Sequence, residues 1–215
     1  MHLQDQSLME DVAEYPWPAP ARGPDAAAIQ DAVRTLIRAA GDDPSREGLR
    51  GTPARVERAW REWFAGYATD PLALLARTFG EAGGYRDMVV LRSIPLVSTC
   101  EHHLAPITGH AHVAYLPTDR VVGISKLSRL VDAYARRLQL QERLTSQIAD
   151  TLDQALQPRG VAVVNEASHG CMSSRGGNQH GISMVTHRWL GQFQQDRLLR
   201  RELLDSLPLA GGGTR

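Results

Sequence analysis

Apolar positions along the chain fall into two regimes. From Asp25, residues Ile29, Val33, Leu36, Ile37 and Ala40 recur at helical spacing, and Gly41 is a natural stop. After a turn at Gly48–Gly51, Thr52-Pro53 gives a hydroxyl cap followed by proline at the first helical position. Val56, Ala59, Trp60, Trp63, Phe64 and Tyr67 then form one apolar stripe, which predicts a helix docked by its aromatic face. Beyond the loop near Gly80–Gly84 the pattern changes. Met88–Thr99 and Thr108–Leu116 read as strands. Lys126–Leu138 and Glu142–Leu156 carry leucines at core-facing helical spacing. Gly160–Ala167 and residues 181–193, separated by a glycine-rich bend at Gly176-Gly177, read as two further strands, and Leu198–Leu207 as a terminal helix. The pattern predicts an α+β protein, a helical appendage followed by ββααββ. Its expected divisions are a Pro-rich flexible arm (1–24), an N-terminal helical region (25–84), a catalytic domain (85–207) and a loose tail (208–215).

Composition narrows the choices. The 215 residues are 42% apolar and 22% charged, enough for a packed core. Twenty-four basic residues balance twenty-four acidic ones, so bulk charge draws the chain toward neither nucleic acid nor an anionic membrane. No apolar run reaches the roughly 18 residues of a spanning helix. The opening segment is polar and acidic where a secretory signal is basic and then apolar, which predicts a cytoplasmic address. Twenty-three of the basic residues are arginine, and Lys126 is the single lysine.

Two cysteines, Cys100 and Cys171, are not a disulfide framework; they are either buried thiols or ligands that the fold unites. Cys100-Glu101-His102-His103 places a thiol and an imidazole three residues apart at a strand end. With Cys171 as a third soft donor, the set matches a catalytic Zn²⁺ site, with three protein ligands and one open corner at which water is acidified. His169, two residues before Cys171, shares a face with it on extended chain, and His102 adjoins His103. Both suit proton transfer beside the ion. His110 and His112 alternate along a strand that accounts for them. A second cluster is cationic. Ser125, Lys126 and Arg129 open a helix, Arg175 follows Cys171, and Arg55 and Arg58 lie three apart on the earlier helix. In a chain of zero net charge, such a cluster suits a small polyanionic substrate.

Four separated segments carry a family resemblance: Ser98-Thr99-Cys100-Glu101-His102-His103, Val121 to Arg129, Gln141-Glu142-Arg143-Leu144-Thr145, and Glu166 to Met172 with Arg175-Gly176. Together they resemble zinc-dependent GTP cyclohydrolase I from about Ser45 to Arg175. The resemblance implies a tunnelling fold and a homo-oligomer, a decamer of two pentamers with active sites at subunit interfaces. It implies Zn²⁺ on Cys100, His103 and Cys171, with His102, His169 and Ser125 catalytic. It assigns the guanine edge to Glu142, with Gln141 the weaker candidate, and the triphosphate to Ser125, Lys126, Arg129 and Arg175. Arg55 and Arg58 are expected from a neighbouring subunit. The implied reaction opens the imidazole ring of GTP at C8, releases formate and forms 7,8-dihydroneopterin triphosphate, feeding pterin and tetrahydrofolate biosynthesis and so one-carbon metabolism.

Two departures keep other outcomes open. Gly177 to His187 differs from the family's usual Thr- and Ser-rich run, and Gly170 stands where a larger residue is usual. A paralogue that stops at a ring-opened formamidopyrimidine or diaminopyrimidine nucleotide fits this pattern. A non-catalytic zinc-binding regulatory homologue needs neither His102 nor His169. A tunnelling-fold reductase acting on a 7-deazaguanine wants a nucleophilic cysteine and a nicotinamide cofactor, and the Cys/His/Cys set disfavours it.

Overall fold

The computed structural model describes residues 25–80, 84–175, 179 and 181–208. The expected Pro-rich arm, most of the Gly176–His180 bend and most of the tail lie outside the described residues. The chain divides into two compact units, the first ending at Arg61 and the second beginning at Glu62.

In the first unit, α1 (Ala26–Ala39) is capped by Asp25, whose carboxylate accepts from the Ala28 amide at 2.8 Å. Gly41 follows with φ +88°, as expected of a glycine stop. The helix α2 (Thr52–Trp63), whose last two residues and following turn fall in the second unit, begins at the predicted Thr-Pro pair. Its apolar stripe spans two elements rather than one, because the helix ends at Trp63 and a 3-10 turn (Ala65–Ala68) follows.

The second unit is a mixed α+β structure. A small antiparallel pair joins β1 (Thr78–Phe79) to β4 (Val121–Val122). The main sheet contains β2 (Val89–Cys100), β3 (Pro106–Leu116), β5 (Leu138–Gln139), β6 (Gly160–His169) and β7 (Met184–Gly191), in the order β5-β2-β3-β6-β7. All neighbours are antiparallel except β5, which lies parallel to β2. Alternation sorts the side chains onto two faces. On one, Ile94, Leu96, Ile107, Ala111, Val113, Val161 and Val163 pack with Leu127, Leu130 and Val131 of α4 (Ile124–Ala135) and Leu144, Ile148 and Leu152 of α5 (Gln141–Leu156). On the other, Ala114, Leu116, Ala162 and Val164 meet Phe193 of α7 (Gln192–Gln195) and Leu203 of α8 (Arg197–Ser206). At full burial each of the Val, Leu, Ile and Phe side chains contributes about 1.5–3 kcal/mol of transfer free energy.

Several short elements escape the sequence pattern, among them β1, β4 and α7, which takes over at Gln192 where a strand was expected to run on to residue 193; three others bear on the site. The helix expected to reach Leu138 ends at Ala135. Arg137 is drawn inward, with Nε donating to Gly66 O at 3.1 Å and Nη2 to Thr69 O at 3.3 Å, and Leu138–Gln139 pair with β2 instead. A short helix, α3 (Pro71–Leu75), is capped by Asp70. Cys171 does not continue the strand before it: β6 stops at His169, and Cys171 sits on a single turn, α6 (Gly170–Ser173). The turn opens on a close approach: a Cβ on Gly170 would lie 3.0 Å from both Cγ and Cδ of Pro106, so a larger residue there would need the ring to give.

Candidate metal centre

The site is assembled at one end of β2 and β6, which are separated in the sheet by β3. Residues 101–105 connect β2 to β3 in a tight loop. The Cys100 amide donates to Ala105 O at 2.8 Å, and the Leu104 amide donates to Cys100 O at 2.9 Å. Leu104 takes φ +53° to close it, a left-handed conformation that a leucine adopts only at a cost. The loop folds His103 back on the strand end, with Nδ1 3.9 Å from Cys100 Sγ. Cys171 arrives from α6. One donor atom from each of Cys100, His103 and Cys171 lies within 4.8 Å of the others. Cys100 is buried, Cys171 half-buried and His103 exposed, so the cluster opens to solvent on its imidazole side.

The donor chemistry fits zinc. Two thiols and one imidazole are the soft set that Zn²⁺ prefers, and three protein donors leave a tetrahedral corner free. Burial, and then the adjacent Cys100 thiol, raise the pKa of Cys171, while the charge of Arg175 acts in the opposite direction. Two neighbouring sulfurs resist ionising together, and a divalent cation between them removes that resistance.

Glu101 braces the loop. Its amide donates to Gln139 O at 3.1 Å, and its carboxylate pairs with Arg143. The Arg143 guanidinium also donates to Gln139 Oε1 at 3.2 Å and Leu138 O at 3.0 Å. The metal loop is thereby tied to the first turn of α5, which presents Gln141 and Glu142. Sequence reading missed this brace because a Glu between two ligands and an Arg after a Glu give no pairing signal of their own.

His169 ends β6. Its Nε2 lies 2.8 Å from Gln141 Oε1. Burial lowers its pKa, and the charge of Glu142 partly restores it. His102 is exposed, with its ring edge-on to His103 at 6.1 Å between centroids. Ser125 and Lys126 occupy the first turn of α4 behind Gly123. Arg129, one turn on, lines a cavity of about 240 Å³ together with Gly66, Asp132 and Arg136. Arg175 is exposed just past α6. Arg55 and Arg58 belong to α2 of the first unit, where Arg55 donates to Thr52 Oγ1 at 2.7 Å. The structure thus unites the three expected ligands, sets Glu142 beside His169, and buries Gln141 to 1% exposure.

A mixed α+β domain with a thiol–imidazole–thiol cluster and a histidine held at its rim defines a candidate metal centre equipped for acid–base chemistry. The family model for GTP cyclohydrolase I matches residues 29–208. The chain is 53% identical over 179 residues to GTP cyclohydrolase 1 of Maricaulis maris (strain MCS10), which is 83% of this chain and 87% of that protein. Over 167 residues it is 55% identical to GTP cyclohydrolase 1 of Allorhizobium ampelinum (strain ATCC BAA-846 / DSM 112012 / S4), covering 78% and 83%. A solved structure of the archaeosine synthase QueF-Like in the apo form covers 50% of this chain and 96% of its own, at 20% identity and a TM-score of 0.42. The chain belongs to the GTP cyclohydrolase I family.

Proposed function

We propose that this protein is a zinc-dependent GTP cyclohydrolase I, converting GTP to formate and 7,8-dihydroneopterin triphosphate. The observation that carries this reading is the convergence of Cys100 and His103 with the sequence-distant Cys171, in a family member whose His102 adjoins His103 and whose His169 lies two residues before Cys171. Zinc, when bound, supplies Lewis acidity that makes water nucleophilic near neutral pH.

The chain's own residues do the rest. The Glu142 carboxylate accepts from N1–H and the exocyclic amine, a donor pair that guanine presents. Ser125, Lys126, Arg129 and Arg175 hold the triphosphate, and Arg55 and Arg58 extend the cationic surface from an adjacent subunit. His169 gives a proton to N7 as the imidazole ring opens at C8. A second hydrolysis releases formate, and His102 and Ser125 move protons in the later rearrangement and ring closure. Sites of this kind belong to a tunnelling fold of ββααββ order, assembled as a decamer of two pentamers in the cytoplasm. No described helix is long and apolar enough to cross a membrane.

The test is incubation of the purified, zinc-loaded protein with GTP, followed by product mass and by fluorescence after oxidation. Dihydroneopterin triphosphate together with formate is the expected result. One zinc per chain with GTP unchanged overturns the catalytic reading; formate without a pterin assigns the chain to an enzyme that stops at a ring-opened nucleotide.

A further inference from the structure

Gln141 is buried, and its side-chain amide is surrounded by groups that dictate its orientation. Nε2 lies 2.8 Å from Met184 O and 3.2 Å from Asn165 O, both backbone carbonyls that can only accept. The NH₂ must therefore face them, because an amide oxygen at 2.8 Å from a carbonyl oxygen would be repulsive. Nε2 also lies 3.2 Å from Thr186 Oγ1. The Thr145 hydroxyl donates to Gln141 O at 2.7 Å and receives Asn165 Nδ2 at 2.8 Å. Its single hydrogen is thus spent, so across the 2.7 Å contact between the two threonine hydroxyls Thr186 donates and Thr145 accepts. Gln141 has two amide hydrogens for the two carbonyls and Thr186 Oγ1, so Thr186 Oγ1 at 3.2 Å shares one of them, and Asn165 Oδ1 is left without a partner among the described residues.

One consequence reaches the rim of the metal centre. With its NH₂ turned inward, Gln141 offers only Oε1 to His169, and an oxygen acceptor 2.8 Å from Nε2 requires a hydrogen on Nε2. No hydrogen bond to the other ring nitrogen occurs among the described residues. We infer that Gln141 is a positioning residue that keeps His169 protonated at Nε2, so that Nδ1 is the nitrogen that exchanges protons with the substrate. The inference rests on the proposed role of His169 as proton carrier and adds to it the working atom and the group that selects it. Nε2–H stays bonded to Gln141, which leaves Nδ1 as the ring nitrogen with no protein partner among the described residues. A glutamine suits this task better than a carboxylate: it accepts one hydrogen without adding negative charge, and its own hydrogens anchor it to β6 and β7.

The experiment compares kcat, KM for GTP and zinc content in His169→Ala, Gln141→Met, Thr186→Val and Thr186→Ser, all zinc-loaded. Loss of the residue that fixes a histidine tautomer costs up to about 10⁴-fold in a serine protease. A proton-transfer contribution of about 10²–10⁴-fold bounds the effect here. Gln141→Met is expected to lower kcat at least about 10²-fold, with KM within about twofold and zinc content unchanged. Thr186→Val, nearly isosteric, is expected to lower kcat about tenfold, and Thr186→Ser to restore it. This pair decides the matter even if Gln141→Met does not fold. A raised KM with kcat kept in Gln141→Met makes Gln141 a guanine contact and overturns the inference. Equal kcat in Thr186→Val and Thr186→Ser also overturns it. Full turnover in His169→Ala removes the proton-carrier reading itself, a failure distinct from the other two. Nitrogen NMR of histidine-labelled protein, assigned by difference from His169→Ala, reads the tautomer directly: a bare Nδ1 supports the inference, and a bare Nε2 overturns it.

Discussion

Gly109 lies mid-strand in β3, opposite Ala167 of β6. A Cβ there would fall 2.0 Å from Glu166 O, 2.5 Å from Ala167 Cα and 2.8 Å from Ala167 Cβ. An ordinary carbon–oxygen contact is about 3.3 Å, so Gly109→Ala requires a backbone displacement of roughly 1.3 Å. Two of the three clashing atoms are backbone, so rotamer changes cannot absorb it. Ala167 is two residues before His169 and four before Cys171, and β6 delivers both to the metal centre. A shift of that size exceeds the tolerance of about 0.2 Å for metal-ligand distances. Overpacking of this kind costs about 1–3 kcal/mol, or roughly 2–12 °C in Tm for a domain of this size. Misplacing catalytic groups by about 1 Å costs on the order of 10²-fold in rate. Gly109→Ala should therefore show a lowered Tm, substoichiometric zinc and a large loss of GTP turnover. Gly80→Ala, whose added methyl meets nothing within 4 Å, is the control. A Gly109→Ala protein with the parent's Tm, zinc content and turnover refutes the claim that close β3–β6 packing sets the site.

Cys171→Ala should lose zinc and turnover together; metal analysis showing one zinc per chain in that variant removes Cys171 from the ligand set. His112 is buried on β3, and its Nδ1 accepts the Ser93 amide at 3.2 Å, at a bulge where Ser93 has φ +55°. Burial, and then the neighbouring His110, lower the pKa of His112, while Glu166 opposes them. Between its ordinary pKa of 6.5 and the lower folded value, the unfolded chain binds the extra proton. This contribution to stability is present above about pH 6.5 and lost as pH falls. Melting curves from pH 8 to 5.5 should show a smaller decline in His112→Asn, which keeps an acceptor but does not titrate; identical slopes contradict the assignment.

Long periodic stretches were legible in the sequence. The strand expected over 88–99 is Val89–Cys100, and the helix expected over 142–156 is Gln141–Leu156. Two-residue strands were not, because β5 has no period and owes its existence to pairing with β2 and to the inward pull on Arg137. The turn carrying Cys171 was not either, since a single helical turn of four residues has no period to read. The Cys100, His103 and Cys171 set was legible because ligand chemistry restricts which residues can serve. The network around Gln141 was not: Thr145, Asn165 and Thr186 are ordinary residues of an ordinary core until the fold aims them at one amide.

The Cys/His/Cys cluster also constrains the order in which the protein matures. Cys100 and His103 leave the ribosome together, but Cys171 follows only after β3, α4, α5 and β6 have been synthesised. An ion shared by all three could not be captured at full strength until β6 had zipped onto β3, so on the proposed zinc reading loading would come late and certify a finished sheet. Chelation applied during refolding should then slow completion far less than it lowers the final yield of active enzyme.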